Sequence, residues 1–171
     1  RGADAVLDAC KRCFASLFTD RAIAYREKQG FAHTDVALSV GIQKMVRADT
    51  SGVLFTIDPE TGYPDTTVIN AAYGLGESVV QGLVNPDQYT VYTPFLDDES
   101  LTPILDKTAG EQTEKIVSAD EGASATKTVP TTDEERTGYV LSDDEILRLA
   151  RWGQVIEAHY DLPMDVEWAR D

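Results

Sequence analysis

Basic residues are scarce in this sequence: 15 Lys and Arg stand against 30 Asp and Glu, a formal net charge of −15 over 171 residues. So acidic a surface repels phosphate backbones and argues against nucleic acid as a partner. It also opposes any polyphosphate ligand unless a divalent cation, or Lys and Arg from elsewhere in the protein, supplies positive charge. Cysteine is nearly absent, with only Cys10 and Cys13. Their C-x-x-C spacing has no second pair to complete a zinc site, and His33 and His159 are far off in sequence. Both cysteines fall on the apolar stripe of a helix, which predicts burial as small hydrophobes; free thiols suit a reducing cytoplasm. No apolar run approaches the ~20 residues of a membrane helix, so no membrane partner is expected. There is neither an initiator Met nor a leader-like segment, and the chain is expected to be part of a larger protein. What is present is ordinary: 42 % hydrophobic residues, enough for one domain with a core.

Apolar residues at three- and four-residue steps predict a helix over residues 3–18, with Val6, Leu7, Cys10, Cys13, Phe14, Leu17 and Phe18 on its stripe. Thr19 is placed to cap a second helix through Arg26, ended by Gly30. Val36 to Val46 reads as a strand. Asn85-Pro86-Asp87 is a turn signal before a strand through Tyr92. Residues 104–107 and 115–117 read as a further hairpin or strand pair, and residues 118–138, poor in large apolar groups, as a peripheral loop within a 97–138 excursion. Ser142 and Glu145 have capping-box spacing for a helix to about Tyr160, with Ile146, Leu149, Ala150, Gly153, Ile156 and Tyr160 buried and Leu162-Pro163 as its stop.

The strongest words lie between Ser51 and Gly82. Two short apolar runs, Val53 to Ile57 and Val68 to Ala72, have the length and β-branched or aromatic content of buried strands. Asp58-Pro59-Glu60-Thr61-Gly62-Tyr63-Pro64-Asp65 makes a tight connection between them, and Gly74-Leu75-Gly76-Glu77 makes a sharp turn after the second. Taken alone, this is a hairpin feeding a glycine turn. Near the C-terminus Met164-Asp165-Val166-Glu167-Trp168 alternates strictly, so that Asp165 and Glu167 share one face of a strand and the apolar residues the other. On pattern alone a solvated strand face is the commoner meaning.

The words S-G-V-L-F-T, D-P-E-T-G and G-L-G-E-S-V-V-Q-G occur here in order. With them the chain resembles the ATP-grasp nucleotide-binding domain of the phosphoenolpyruvate synthase family of dikinases, and F-A-S-L-F-T-D-R-A-I-A-Y-R resembles the same family's segment before its adenine pocket. The resemblance implies an α+β fold, the later half of an ATP-grasp domain, with a mixed, mainly antiparallel sheet and flanking helices. It implies ATP as ligand, with Gln43, Lys44, Met45 and Val46 around the adenine and ribose and Glu77 facing the same cleft. It implies Mg²⁺ held by Asp165 and Glu167, a role that suits two hard oxygen donors on one face. It implies no catalytic residue here: the family's phosphohistidine lies in a Thr- and Gly-rich loop of a separate, swivelling domain, a setting that neither His33 nor His159 has, and pyruvate binds a third, barrel domain. The implied reaction turns ATP, pyruvate and water into phosphoenolpyruvate, AMP and phosphate. The same lobe occurs in pyruvate phosphate dikinase, against which G-L-V-N-P-D speaks, and in rifampin phosphotransferase; a non-catalytic nucleotide-binding module is the alternative of another class.

Overall fold

A computed structural model of the chain describes residues 2–80, 82–98, 100–119 and 126–171. It divides into two compact units, Arg1–Met45 and Val46–Asp171.

The first unit is helical. Helix α1 spans Ala3–Ala15 and runs into a 3₁₀ turn at Ser16–Phe18; α2 spans Asp20–Gln29. The Thr19 hydroxyl accepts from the Ala22 N–H and caps α2, and Gly30 ends it at φ 74°, a left-handed conformation that favours glycine. Arg26 is buried; its guanidinium donates to Leu17 O and His33 Nδ1. Two expectations fail here. No residue of α1 is buried: Cys10 is half-buried and Cys13 exposed. A helix stripe is covered only where another element packs across it, and this unit contains nothing that does. Residues 36–46 form no strand. A strand persists by hydrogen bonding to a neighbour, and no described strand pairs with this segment.

The second unit is built on a five-stranded antiparallel sheet. Its strands are β1 (Thr50–Phe55), β2 (Thr66–Tyr73), β3 (Asp87–Tyr92), β4 (Ile104–Thr108) and, after the excursion described below, β7 (Asp165–Arg170), in the order β4-β3-β2-β1-β7. The two central apolar runs are therefore interior strands. Helix α3 (Glu77–Val80) follows β2, and α5 (Asp143–Tyr160) precedes β7. Strands β5 (Glu114–Ser118) and β6 (Thr126–Pro130) pair with each other as a separate two-stranded sheet, followed by α4 (Asp133–Thr137). Residues 104–107 and 115–117 are thus strands, but not partners of each other: β4 joins β3, and β5 takes β6. Of the 118–138 stretch, residues 120–125 lie outside the described residues; the remainder is mostly regular structure, because the segment from Thr126 to Pro130 finds a hydrogen-bonding partner in β5.

Directly opposed residues of antiparallel strands share a face. Leu54 of β1 opposes Ile69 of β2 and Val166 of β7, and Ile69 opposes Tyr89 of β3. That face carries the core, closed by Ile146 and Ala150 of α5. Each such side chain, fully buried, contributes ~1.5–3 kcal/mol. Gly153 lets α5 approach: a Cβ there would lie 2.9 Å from Leu54 Cδ2. At Gly52 a Cβ would lie 1.8 Å from Asn70 O and 2.8 Å from the Trp168 ring. Ser142 and Glu145 form the expected capping box of α5, but Asp161 stops the helix, at φ 55°, one residue before Leu162-Pro163, and Tyr160 is exposed. The buried carboxylate of Asp87 is satisfied by four donors: Tyr89 OH (2.9 Å), Val140 N (2.8 Å), Gly110 N (2.8 Å) and Gln112 Nε2 (3.3 Å). Burial pushes the Tyr89 phenol far above its ordinary range, so that it stays a donor to this carboxylate.

Candidate functional site

The sheet face away from α5 is built from alternate residues of the same strands. Asp165 opposes Phe55, and Glu167 opposes Val53. Phe55 and Val53 in turn oppose Val68 and Asn70 of β2. Strict alternation in β7 sends Val166 and Trp168 to the core and leaves both carboxylates exposed on the other face. They stand about 7 Å apart along the strand. Among the described residues neither is paired with a Lys, Arg or His. Beside them Val53 and Phe55 are half-buried, so the acidic edge borders an apolar floor.

The glycine turn folds over this same face at its other end. Ser51, which shares the face with Val53 and Phe55, donates from Oγ to Gly74 O at 2.7 Å, and its hydroxyl lies 3.5 Å from where a Cβ on Gly76 would be. Gly74 has φ 81°, and a Cβ there would meet Ile116 O at 2.3 Å; any side chain would force the turn apart. The turn delivers Glu77 to the start of α3, just past the Tyr73 end of β2, whereas Asp165 lies at the Phe55 end of β1. Among the described residues no three His, Cys, Asp or Glu side chains converge as a metal-ligand set. Asp165 and Glu167 form a pair of neighbours, with Glu77 at the far end of the face.

The loop between β1 and β2 borders the Asp165 end. Thr56 and Met164 extend the β1–β7 pairing: Thr56 N donates to Met164 O at 3.0 Å, and Met164 N to Thr56 Oγ1 at 2.8 Å. Asp58 accepts from Glu60 N at 2.8 Å and Thr61 N at 3.2 Å. The Thr61 hydroxyl, then these backbone donors, hold the Asp58 carboxyl below its usual range. The D-P-E-T-G word thus encodes an Asx-type turn whose conformation the aspartate fixes.

Gln43, Lys44 and Met45 belong to the first unit and Val46 opens the second; all four are exposed, Met45 at 74 %. The sequence marks Val53 and Phe55 only as members of a buried strand; that they and Asn70 share a face with the two carboxylates is visible only in the strand register.

Comparison with known proteins adds a family to this geometry. The family described as pyruvate phosphate dikinase, AMP/ATP-binding domain, matches residues 1–171. The chain is similar to the phosphoenolpyruvate synthase of Synechocystis sp., with 55 % identity over 97 % of this chain and 21 % of that protein. It is 51 % identical to that of Aquifex aeolicus over 99 % of this chain and 21 % of the relative. To the Escherichia coli enzyme it is 46 % identical over 100 % of this chain and 22 % of the relative. The chain therefore spans about a fifth of the length of the curated relatives it matches.

Proposed function

Because this chain belongs to the pyruvate phosphate dikinase AMP/ATP-binding domain family, we propose that it is the ATP-binding part of a phosphoenolpyruvate synthase. Asp165 and Glu167 would hold the Mg²⁺ that accompanies the ATP phosphates. The observation that carries this reading is the register of β7, which sets the two carboxylates on one exposed face beside Val53 and Phe55. The donor set fits the ion: Mg²⁺ keeps several waters and takes one or two carboxylates together with phosphate oxygens. When bound, it neutralises charge on the transferring phosphoryl group. It would also relieve the opposition between ATP and a chain of net charge −15.

The protein's own share is positioning. The half-buried rings and methyls of Phe55 and Val53 lower the dielectric beside the carboxylates, which strengthens their hold on a cation. By resemblance, Glu77 after the Gly74–Gly76 turn would face the same cleft. By resemblance, the backbone of Gln43 to Val46 takes the adenine edge, Met45 lies against its face, and Lys44 reaches ribose or phosphate. In the whole protein, the β-phosphoryl group of ATP would pass to a histidine of another domain and from there to pyruvate, and the γ-phosphoryl group to water, which yields phosphoenolpyruvate, AMP and phosphate.

The test uses the protein as its gene encodes it. Asp165→Asn and Glu167→Gln keep size and shape, so Met164, Val166 and Trp168 remain packed. Histidine phosphorylation from labelled ATP should fall by roughly 10²–10³, the scale on which removing one electrostatic stabiliser acts. Exchange between phosphoenolpyruvate and pyruvate should persist. Wild-type phosphorylation in both variants would reduce the pair to a solvated strand face.

A further inference from the structure

The word S-G-V-L-F-T ends on Thr56, one residue past the end of β1. Thr56 is fully buried. Its N–H donates to Met164 O at 3.0 Å, and its hydroxyl accepts from Met164 N at 2.8 Å. In a regular antiparallel ladder a hydrogen-bonded pair exchanges two main-chain bonds. Here the side-chain oxygen replaces the Thr56 carbonyl as acceptor, so the chain can turn away toward Asp58 while the last rung stays closed. The methyl goes to α5: Thr56 Cγ2 lies 3.3 Å from where a Cβ on Gly153 would be.

These two bonds hold the peptides on both sides of Met164, the residue immediately before Asp165. The bond to Met164 N fixes the peptide that enters Met164, and the bond to Met164 O fixes the peptide that leads into Asp165. Upstream, Asp161, Leu162 and Pro163 are exposed, and proline has no N–H to donate. Strand β7 lies at the edge of its sheet, with β1 as its neighbour. Its start is therefore held at Thr56. Its far end is held by Asp49 N, which donates to Arg170 O at 2.8 Å, and by the Arg170–Glu145 ion pair. Glu167 stands in the middle of the ladder opposite Val53, whereas Asp165 opposes Phe55 at its first position. Of the two carboxylates, Asp165 is the one that depends on the Thr56 rung.

We propose that Thr56 is a positioning residue for Asp165: its hydroxyl sets the backbone from which that carboxylate is presented, and with it the span between Asp165 and Glu167. The proposal rests on the reading of this pair as Mg²⁺ ligands. Mg²⁺ demands near-ideal geometry from the groups that hold it. Residues that orient such groups without touching the ion change metal affinity roughly 10–100-fold when they are removed. Valine at position 56 keeps the volume and the methyl against α5 but leaves Met164 N without its acceptor. Serine keeps the acceptor and loses the methyl. The two variants therefore separate the hydroxyl from the packing.

Two measurements on the protein as its gene encodes it test this. Hydrogen exchange needs no metal: the Met164 amide should exchange about tenfold faster in Thr56→Val, the scale of one lost hydrogen bond, and near the wild-type rate in Thr56→Ser. The Mg²⁺ concentration that half-saturates histidine phosphorylation should rise roughly tenfold or more in Thr56→Val, with the rate at saturating Mg²⁺ little changed, and Thr56→Ser should restore the wild-type value. A purely structural role would lower the amount of active protein and leave the half-saturating concentration where it was. Asp165→Asn, measured in parallel, separates the two readings. If Asp165→Asn shifts half-saturation and Thr56→Val does not, the role of Thr56 is overturned and the metal pair stands. If Asp165→Asn shifts nothing, the metal pair falls and this proposal with it. Thr56→Ser is decisive even where Thr56→Val does not fold: a shift of about tenfold in either measurement would mean that the methyl, and not the hydroxyl, holds the strand.

Discussion

Leu54 and Phe55 are neighbours in β1 whose side chains go opposite ways, and truncating each in turn tests the register on which both faces depend. Leu54 is 2 % exposed. It lies against Gly153 of α5 and in the cross-strand row with Ile69 and Val166. Leu54→Ala leaves a hole under α5 that the backbone contact at Gly153 keeps from closing, and the cost for such a site is ~2–5 kcal/mol. Phe55 is half-buried on the carboxylate face. A fully buried Phe→Ala costs ~3–5 kcal/mol; with only part of its ring covered, Phe55→Ala comes down to roughly 2–3 kcal/mol. The smaller residue should therefore be the more damaging one to truncate. At roughly 4 °C per kcal/mol for a unit of this size, Leu54→Ala should lower Tm by ~8–20 °C and Phe55→Ala by ~8–12 °C. Thermal unfolding followed by circular dichroism, with urea midpoints as a check, reads both. If Phe55→Ala proves the costlier, β1 presents its other face to α5, and the pairing that sets Val53 and Phe55 beside Asp165 and Glu167 fails with it.

Three further outcomes follow from the packing. Gly52→Ala should prevent stable folding of the sheet, since the new Cβ would lie within 1.8 Å of a backbone oxygen; a soluble variant with an unchanged urea midpoint would refute the β1–β2 spacing. Asp87→Ala strands four donors and should cost more than ~3 kcal/mol, with Asp87→Asn in between; a wild-type midpoint for Asp87→Asn would mean that the carboxylate charge is irrelevant there. Burial alone would raise the pKa values of Glu145 and Glu135, but donors outweigh it: the Ser142 N–H and hydroxyl with Arg170 at Glu145, and Lys115 with the Thr132 N–H at Glu135, hold both below 4.5. A carboxyl depressed in the folded state stabilises above its unfolded value and ceases to as pH falls through the folded one. Stability should therefore drop below about pH 4.5, and the drop in urea midpoint from pH 6 to 3.5 should be smaller in the Glu135→Gln, Glu145→Gln double variant.

What could be read from sequence were the signals whose causes are local. Thr19, Gly30, Ser142 and Glu145 act on backbone groups within four residues, and each appears where its spacing places it. The alternation around Val166 works in the same way: a strand sends successive side chains to opposite faces whatever it pairs with. Pairing itself is not local. Nothing near Ile104 or Lys115 says that β4 belongs to β3 while β5 waits for Thr126 to Pro130. Burial is not local either. The stripe of α1 has helical period, yet period states only which residues would be buried together, and Phe14 remains 49 % exposed. Residues 36–46 show the same limit, since β-branched composition supplies no hydrogen-bonding neighbour.

The carboxylate pair and the cross-strand row through Thr50 differ in legibility for this reason. Asp165 and Glu167 lie two positions apart, so one strand carries their relation, and a sequence word suffices to notice them. Tyr73, Thr50 and Arg170 also form a row, but its members come from three strands distributed over most of the second unit. Only the register joins them. Yet the register that places Thr50 opposite Arg170 is the same one that places Phe55 opposite Asp165. A one-residue slip of β7 against β1 would dissolve both arrangements together, turning the carboxylates inward and Arg170 outward. The comparison of Leu54→Ala with Phe55→Ala bears on the carboxylate pair: a cost order opposite to the expected one would put Val53 and Phe55 on the core side and leave Asp165 and Glu167 without their apolar neighbours.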